Sequence, residues 1–251
     1  MESLFRRTTA TGGGFDALKR LGHISPAVQS HLKHVYLTLS SALAFSALGA
    51  YLHIALNVGG TLTTVGCLAA IAFLISLPAS QHQERNRFAL LMSAALLQGA
   101  SVGPLLDLVL HLDLRILVTA FVGTAIAFGC FSAAAIIAKR REYLYLGGLL
   151  SSALSILLWL QFAASIFGHY YFTFEYFVAL QLYFGLLVFL GYMVYDTQEI
   201  IERAHHGDMD YIKHALTLFT DFVAVLVRVL VIMLKNAQEK SQEDKKRKKR
   251  Y

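Results

Sequence analysis

Asp221 stands near the middle of the apolar stretch Tyr211 to Leu234, and Asp196 closes the apolar stretch before it. A carboxylate at the centre of a bilayer costs roughly 2.5 to 3.5 kcal/mol on insertion scales, so it persists facing a protein interior or a watery cavity. The segment between the two, Thr197 to Thr220, is long enough to fold back as a helical hairpin and short enough to keep both helices adjacent. The carboxyl groups could then meet. Both cannot be ionised cheaply in low dielectric, so a meeting pair shares a proton and acts as a pH sensor. Such a pair is also an incomplete cation site: two carboxylates offer at most about four oxygens where Ca²⁺ prefers about six to eight. A weak site suits permeation better than storage. The plain alternative is a hydrogen-bonded structural pair, or two unrelated acids at the membrane edge.

Arg228 lies seven residues after Asp221, on the same helical face but about 10.5 Å further along the axis, too far for a direct ion pair on a straight helix. Each therefore needs a partner on another helix. Asp107 is one candidate latch for Arg228, with Glu175 and Glu199 behind it; the alternative is that Asp107 and Arg228 snorkel to the interface. Pro104, just before Asp107, frees a backbone carbonyl and favours a kink. His205 and His206 beside Asp208 and Asp210 read as solvated loop residues and not as a metal site. Gly99 and Gly103 form a GxxxG pair, and Gly185 and Gly191 thin a later stretch; both read as close-packing positions within a bundle. The sequence contains no Walker loop, GxGxxG, HExxH or GxSxG. Neither soluble-enzyme chemistry nor a bound cofactor is expected.

The elements that must carry these residues are helices in a membrane. Apolar residues make up 56% of the 251, charged residues only 15%, and the mean hydropathy is +0.55, which excludes an ordinary soluble domain. Seven stretches can cross about 30 Å of hydrocarbon: 35–56, 58–78, 88–110, 114–138, 143–165, 170–195 and 211–234. Unpaired backbone is not tolerated in lipid, so an all-α bundle is required. Residues 1–34 form an amino-terminal segment and 235–251 a basic tail expected to be disordered. The tail holds eight Lys or Arg against three acids, so most of the formal +6 charge resides there. That places the basicity beside a membrane and away from nucleic acid. Cys67 and Cys130 both fall in apolar stretches and read as packing residues. No cleaved leader is expected, and the first membrane helix serves as its own targeting signal.

Basic residues at 6, 7, 19, 20 and 33, at 85 and 87, and at 139 to 141 mark alternate connections as cytosolic, with Arg115 the exception. A seventh full crossing would carry Lys245 to Arg250 to the far side. Either the last stretch does not cross completely, being buried among the other six or re-entrant, or the tail is an exception to the rule; a cytosolic tail is the expectation. Lys248 and Lys249, fourth and third from the end, resemble a dilysine retrieval signal of the endoplasmic reticulum, which is read only in the cytosol.

The run GLLVFLGYMVYDTQEIIERAHHGDMDYIKHALTLFTDF, Gly185 to Phe222, resembles the signature region of the transmembrane Bax-inhibitor-motif family. The likeness extends to Ser30–His53, to ERNRFALL at 84–91, to GTAIAFGCFS at 123–132 and to REYLYLGGLLSSALS at 141–155, and the KKRKKR tail is similar to plant members. Resemblance implies a seven-helix bundle with the last helix surrounded by the others, located in the endoplasmic reticulum membrane. It implies suppression of programmed cell death and a pH-dependent leak of store Ca²⁺ under ER stress, with the family's paired aspartates at Asp196 and Asp221. Some bacterial relatives place an arginine in the second span; 58–78 has none, so a latch here would use Arg228. Plant relatives imply calmodulin binding by the tail, which here would need to borrow Val229 to Leu234 as apolar anchors.

The leading expectation is a proton-regulated Ca²⁺ leak, in which protonating the pair releases it from a basic clamp. A non-transporting scaffold for death regulators or lipid-modifying enzymes of the endoplasmic reticulum membrane is the second reading. An intramembrane aspartyl protease is the remote third, because Asp221 follows Phe219-Thr220 and lacks the GxGD arrangement.

Overall fold

The computed structural model describes residues 25–138, 142–167 and 174–248, without the side chains at 81, 164, 165, 167, 174–178 and 241–248. Among the described residues there are seven α-helices and no strand. They are α1 (Pro26–Leu56), α2 (Thr61–Ser76), α3 (Glu84–Leu112), α4 (Leu114–Ile137), α5 (Leu146–Phe167), α6 (Phe174–His205) and α7 (Tyr211–Lys248). The expected all-α seven-helix bundle is the fold.

Local chemistry sets the ends. Ser25 caps α1 by accepting from the Val28 amide at 3.4 Å, Pro26 takes the first helical position, and Asn57 ends the helix in the left-handed region at φ 53°. The Gly60 amide donates to Thr63 Oγ1 at 3.1 Å to start α2, whose 16 residues make it about 24 Å long and the shortest of the seven. Asp113 ends α3 and caps α4, accepting from the Arg115 amide at 2.8 Å. α3 continues through Pro104. The carbonyl that Pro104 frees is that of Ala100, and it faces the α1–α2 turn so closely that a Cβ on Gly59 would lie 2.6 Å from it.

Two boundaries differ from expectation. α6 does not stop at Tyr195 but runs ten residues further, so Asp196 lies inside a helix instead of closing one. The segment 235–248, expected to be disordered, continues α7. Its residues KNAQEKSQEDKKRK are mostly good helix formers, and Lys235 pairs with Glu239 one turn on at 3.8 Å.

α7 packs against α1, α3, α4 and α6, which makes it the central helix; α2 leans on α3 and α5 on α6, outside that ring. Lipid is as apolar as leucine, so small residues set the closest approaches. A Cβ on Gly99 would lie 1.8 Å from the Ser46 carbonyl oxygen, and one on Gly49 1.9 Å from that of Leu96, so α1 and α3 touch backbone to backbone. Phe219, Leu218, Ile212, Val225 and Leu230 of α7 are fully buried.

α1 and α7 run parallel. His31 near the start of α1 meets His214 near the start of α7, while Leu230 and Leu234 pack with Val109 and Ala120 at the other end of the bundle. α7 is also unbroken, which sets aside the re-entrant alternative. Residues before α1 and residues after the core of α7 therefore leave from opposite ends.

Candidate functional site

Asp196 lies nine residues before the end of α6 and Asp221 ten after the start of α7. Rises of about 13.5 and 15 Å from their shared turn put the two carboxyls at one level of the bundle. They meet there. Asp196 is 8% and Asp221 5% exposed, and the two side chains lie within hydrogen-bonding reach of each other. Asp221 Oδ2 is buried with no donor from any hydroxyl, amide or base. A bond between two carboxyl groups needs a proton on one of them, so the geometry is that of a proton-sharing pair.

The run Tyr195-Asp196-Thr197-Gln198 fans out around α6, each residue turned about 100° from the last. The Tyr195 ring fills the space over Gly147 in α5, where a Cβ would lie 2.7 Å away. Asp196 faces α7. Thr197 is fully buried, donates to its own Met193 carbonyl at 2.6 Å and lies 3.4 Å from Ser132 Oγ of α4. Tyr36 of α1 directs its hydroxyl at both of these groups, short of a bond of standard geometry. Gln198 accepts from the Tyr143 amide at 2.8 Å and donates to the Ala135 carbonyl at 3.3 Å, tying α6 to the α4–α5 connection. Phe222, next to Asp221, packs edge-on against Phe128 at 5.6 Å and Phe121 at 6.0 Å.

The expected latch is not formed among the described residues. Arg228 donates to the Ala224 carbonyl of its own helix at 3.0 Å and lies 4.2 Å over the Phe189 ring. It fits because residue 185 is glycine; a Cβ there would sit 2.7 Å from Arg228 Nε. Glu199 binds Arg203 at 2.6 Å, and the half-exposed Asp107 lies 3.6 Å from His111. Both acids thus satisfy themselves one turn away on their own helices, which is cheaper than reaching across a bundle. The Glu175 side chain lies outside the described residues, as does Lys249, and of Lys248 only the backbone is described.

A second polar cluster holds the α6–α7 turn, and it corrects the expectation that Asp210 is a solvated loop residue, since its side chain is buried against Arg87. Gly207 takes φ 93°, a conformation other residues rarely adopt. Asp210 then caps α7 through the Lys213 amide at 3.2 Å and receives both guanidinium nitrogens of Arg87 from α3 at 3.1 and 2.6 Å. Burial alone would push Asp210 up, but the Arg87 hydrogen bond, the Lys213 amide and the charges of Arg87 and His214 hold it below the usual carboxylate range. Tyr211 donates to Glu84 at 2.5 Å, and buried His31 and His214 share a 2.9 Å hydrogen bond, with Asp208 3.9 Å from His214. His205 and His206 turn their Nδ1 atoms to the Ile201 and Glu202 carbonyls. Arg87 and Asp210 are 123 positions apart, so no local spacing could have paired them.

Six of the helices are long and apolar enough to cross a bilayer among the described residues, and they enclose a buried aspartate pair. That defines a multi-pass membrane protein with an ionisable core. A family model described as inhibitor of apoptosis-promoting Bax1 matches residues 28–238, and the chain belongs to this family. It is 73% identical to Bax inhibitor 1 of Oryza sativa subsp. japonica over 96% of this chain and 94% of that one. Against Bax inhibitor 1 of Arabidopsis thaliana the identity is 63% over 90% and 89%, and against that of Homo sapiens 41% over 92% and 96%. Plant relatives are thus more similar than the human one.

Proposed function

We propose that this member of an apoptosis-suppressor family acts in the endoplasmic reticulum membrane as a proton-regulated Ca²⁺ leak, without enzymatic chemistry, and lowers the store load that feeds death signalling. The observation that carries this reading is the meeting of two buried carboxyls on adjacent helices. While the pair shares a proton, it bears one net charge and the α6–α7 contact is closed. Removal of that proton leaves two like charges in low dielectric, and a divalent cation entering with its remaining waters relieves the repulsion. Protons and Ca²⁺ then compete for the same oxygens. No basic clamp enters the mechanism, because Arg228 is engaged elsewhere. Acidification should slow the leak.

The test is Ca²⁺ flux from proteoliposomes across a pH series, for the natural chain and for Asp196→Asn with Asp221→Asn. The expected result is a pH-dependent flux in the natural chain and a reduced, pH-independent one in the double variant. Equal flux with both aspartates changed would remove the mechanism.

A further inference from the structure

α1 and α4 touch through Tyr36 and Phe128 towards one end of the bundle and part towards the other. α1 is held away by its backbone contact with α3 at Gly49 and Gly99, while α4 docks on α6 and α7. The parting leaves a groove of about 390 Å³. Its floor is the central helix, at Val223, Leu226 and Val227, and its walls include Ala47 of α1 and Val118 of α4. No acid or basic side chain lines it, and Ser46 and Tyr51 are its only polar side chains.

The groove opens onto the hydrocarbon-facing surface without a break: Phe45, Leu48 and Ile54 are exposed beside one wall, Val118, Phe121 and Val122 along the other. Ordered water needs about two to four polar partners in reach at once, and two hydroxyls are all that the lining side chains offer. A flexible alkyl chain needs no polar partner, and in a bilayer it is the material already in contact with the rim. We propose that an acyl chain of a surrounding phospholipid enters between α1 and α4 and lies against α7, as a lipid site separate from the general lipid perimeter.

The full chain is reconstituted in liposomes containing phosphatidylcholine with a diazirine on one acyl chain, irradiated, and its adducts are mapped by mass spectrometry. Expected are adducts at Val223, Leu226 or Val227, the α7 residues on the groove floor, alongside those at perimeter residues such as Leu62 and Leu158. Ala47→Trp plugs the groove and should lower the α7 adducts about fivefold or more, with the perimeter adducts unchanged; Val118→Trp does the same from the opposite wall if the first variant does not fold. Perimeter labelling with none on α7 would overturn the proposal, as would α7 adducts indifferent to both plugs. So would α7 adducts that emerge only on dilution of protein into lipid, which would assign the groove to a second copy of the chain.

Discussion

Removing either partner of the Arg87–Asp210 pair tests whether the turn between the two aspartate helices is held electrostatically. The two side chains are 6% and 10% exposed and joined by two hydrogen bonds. Breaking a buried pair of this kind from one side costs about 3 to 5 kcal/mol, because the remaining charge stays buried, whereas a solvent-exposed pair costs about 0 to 1 kcal/mol. Arg87→Met removes the cation. Asp210→Asn removes the anion but keeps a good cap for α7, so the capping contribution is held constant. At about 2 to 4 °C per kcal/mol for a chain of this size, each single change should lower the melting midpoint in detergent by about 6 to 20 °C. The double variant should lose less than the two singles summed, since neither charge is then stranded. Acid supplies an independent check. Asp210 is held below its ordinary value when folded, so its contribution is fully present above the unfolded value near 4 and is lost as pH falls through the folded one. That acid-side loss should be absent in Arg87→Met. Additive single effects of under about 1 kcal/mol, with the acid profile unchanged, would refute the buried-pair reasoning.

Glycosylation acceptors placed before residue 25 and after Tyr251 should report opposite sides of the membrane, because α1 and α7 are parallel; modification of both, or protection of both, would contradict the described bundle. Gly99→Ala should cost about 1 to 3 kcal/mol in thermal unfolding, since its Cβ would sit 1.8 Å from the Ser46 carbonyl oxygen. Gly123→Ala, where a Cβ meets nothing within 4 Å, should instead stabilise by up to about 1 kcal/mol through helix propensity. Ala237→Pro should reduce helical circular dichroism through loss of the extension past Leu234 while leaving the melting midpoint within about 2 °C, because the bundle core ends near that leucine.

Much of the site was legible because membrane insertion penalises charge. Asp196 and Asp221 stood out against apolar neighbours, and a hairpin of fixed length left their helices adjacent, so a meeting could be expected without coordinates. The GxxxG pair was legible for a similar reason: small residues are where helices touch when lipid supplies no hydrophobic drive. The partners of Arg228 were not. Between its candidate acids the choice depends on rotation about each helix axis, and the arginine instead lies over Phe189 in the space left by Gly185. Residues 235–248 continue α7 because helix propensity outweighs their charge, which composition alone does not convey.

Helices, their number and the costliness of the two aspartates follow from the sequence alone, since each depends on local hydropathy and on backbone groups that lipid cannot satisfy. Tertiary structure decided which faces turn towards one another: that the carboxyls meet, that Arg87 from α3 secures the turn between them, and that α1 and α4 part to bare the central helix. Those outcomes depend on the rotation and crossing of helices over a hundred or more residues, quantities set by packing of the whole bundle and carried by no single segment.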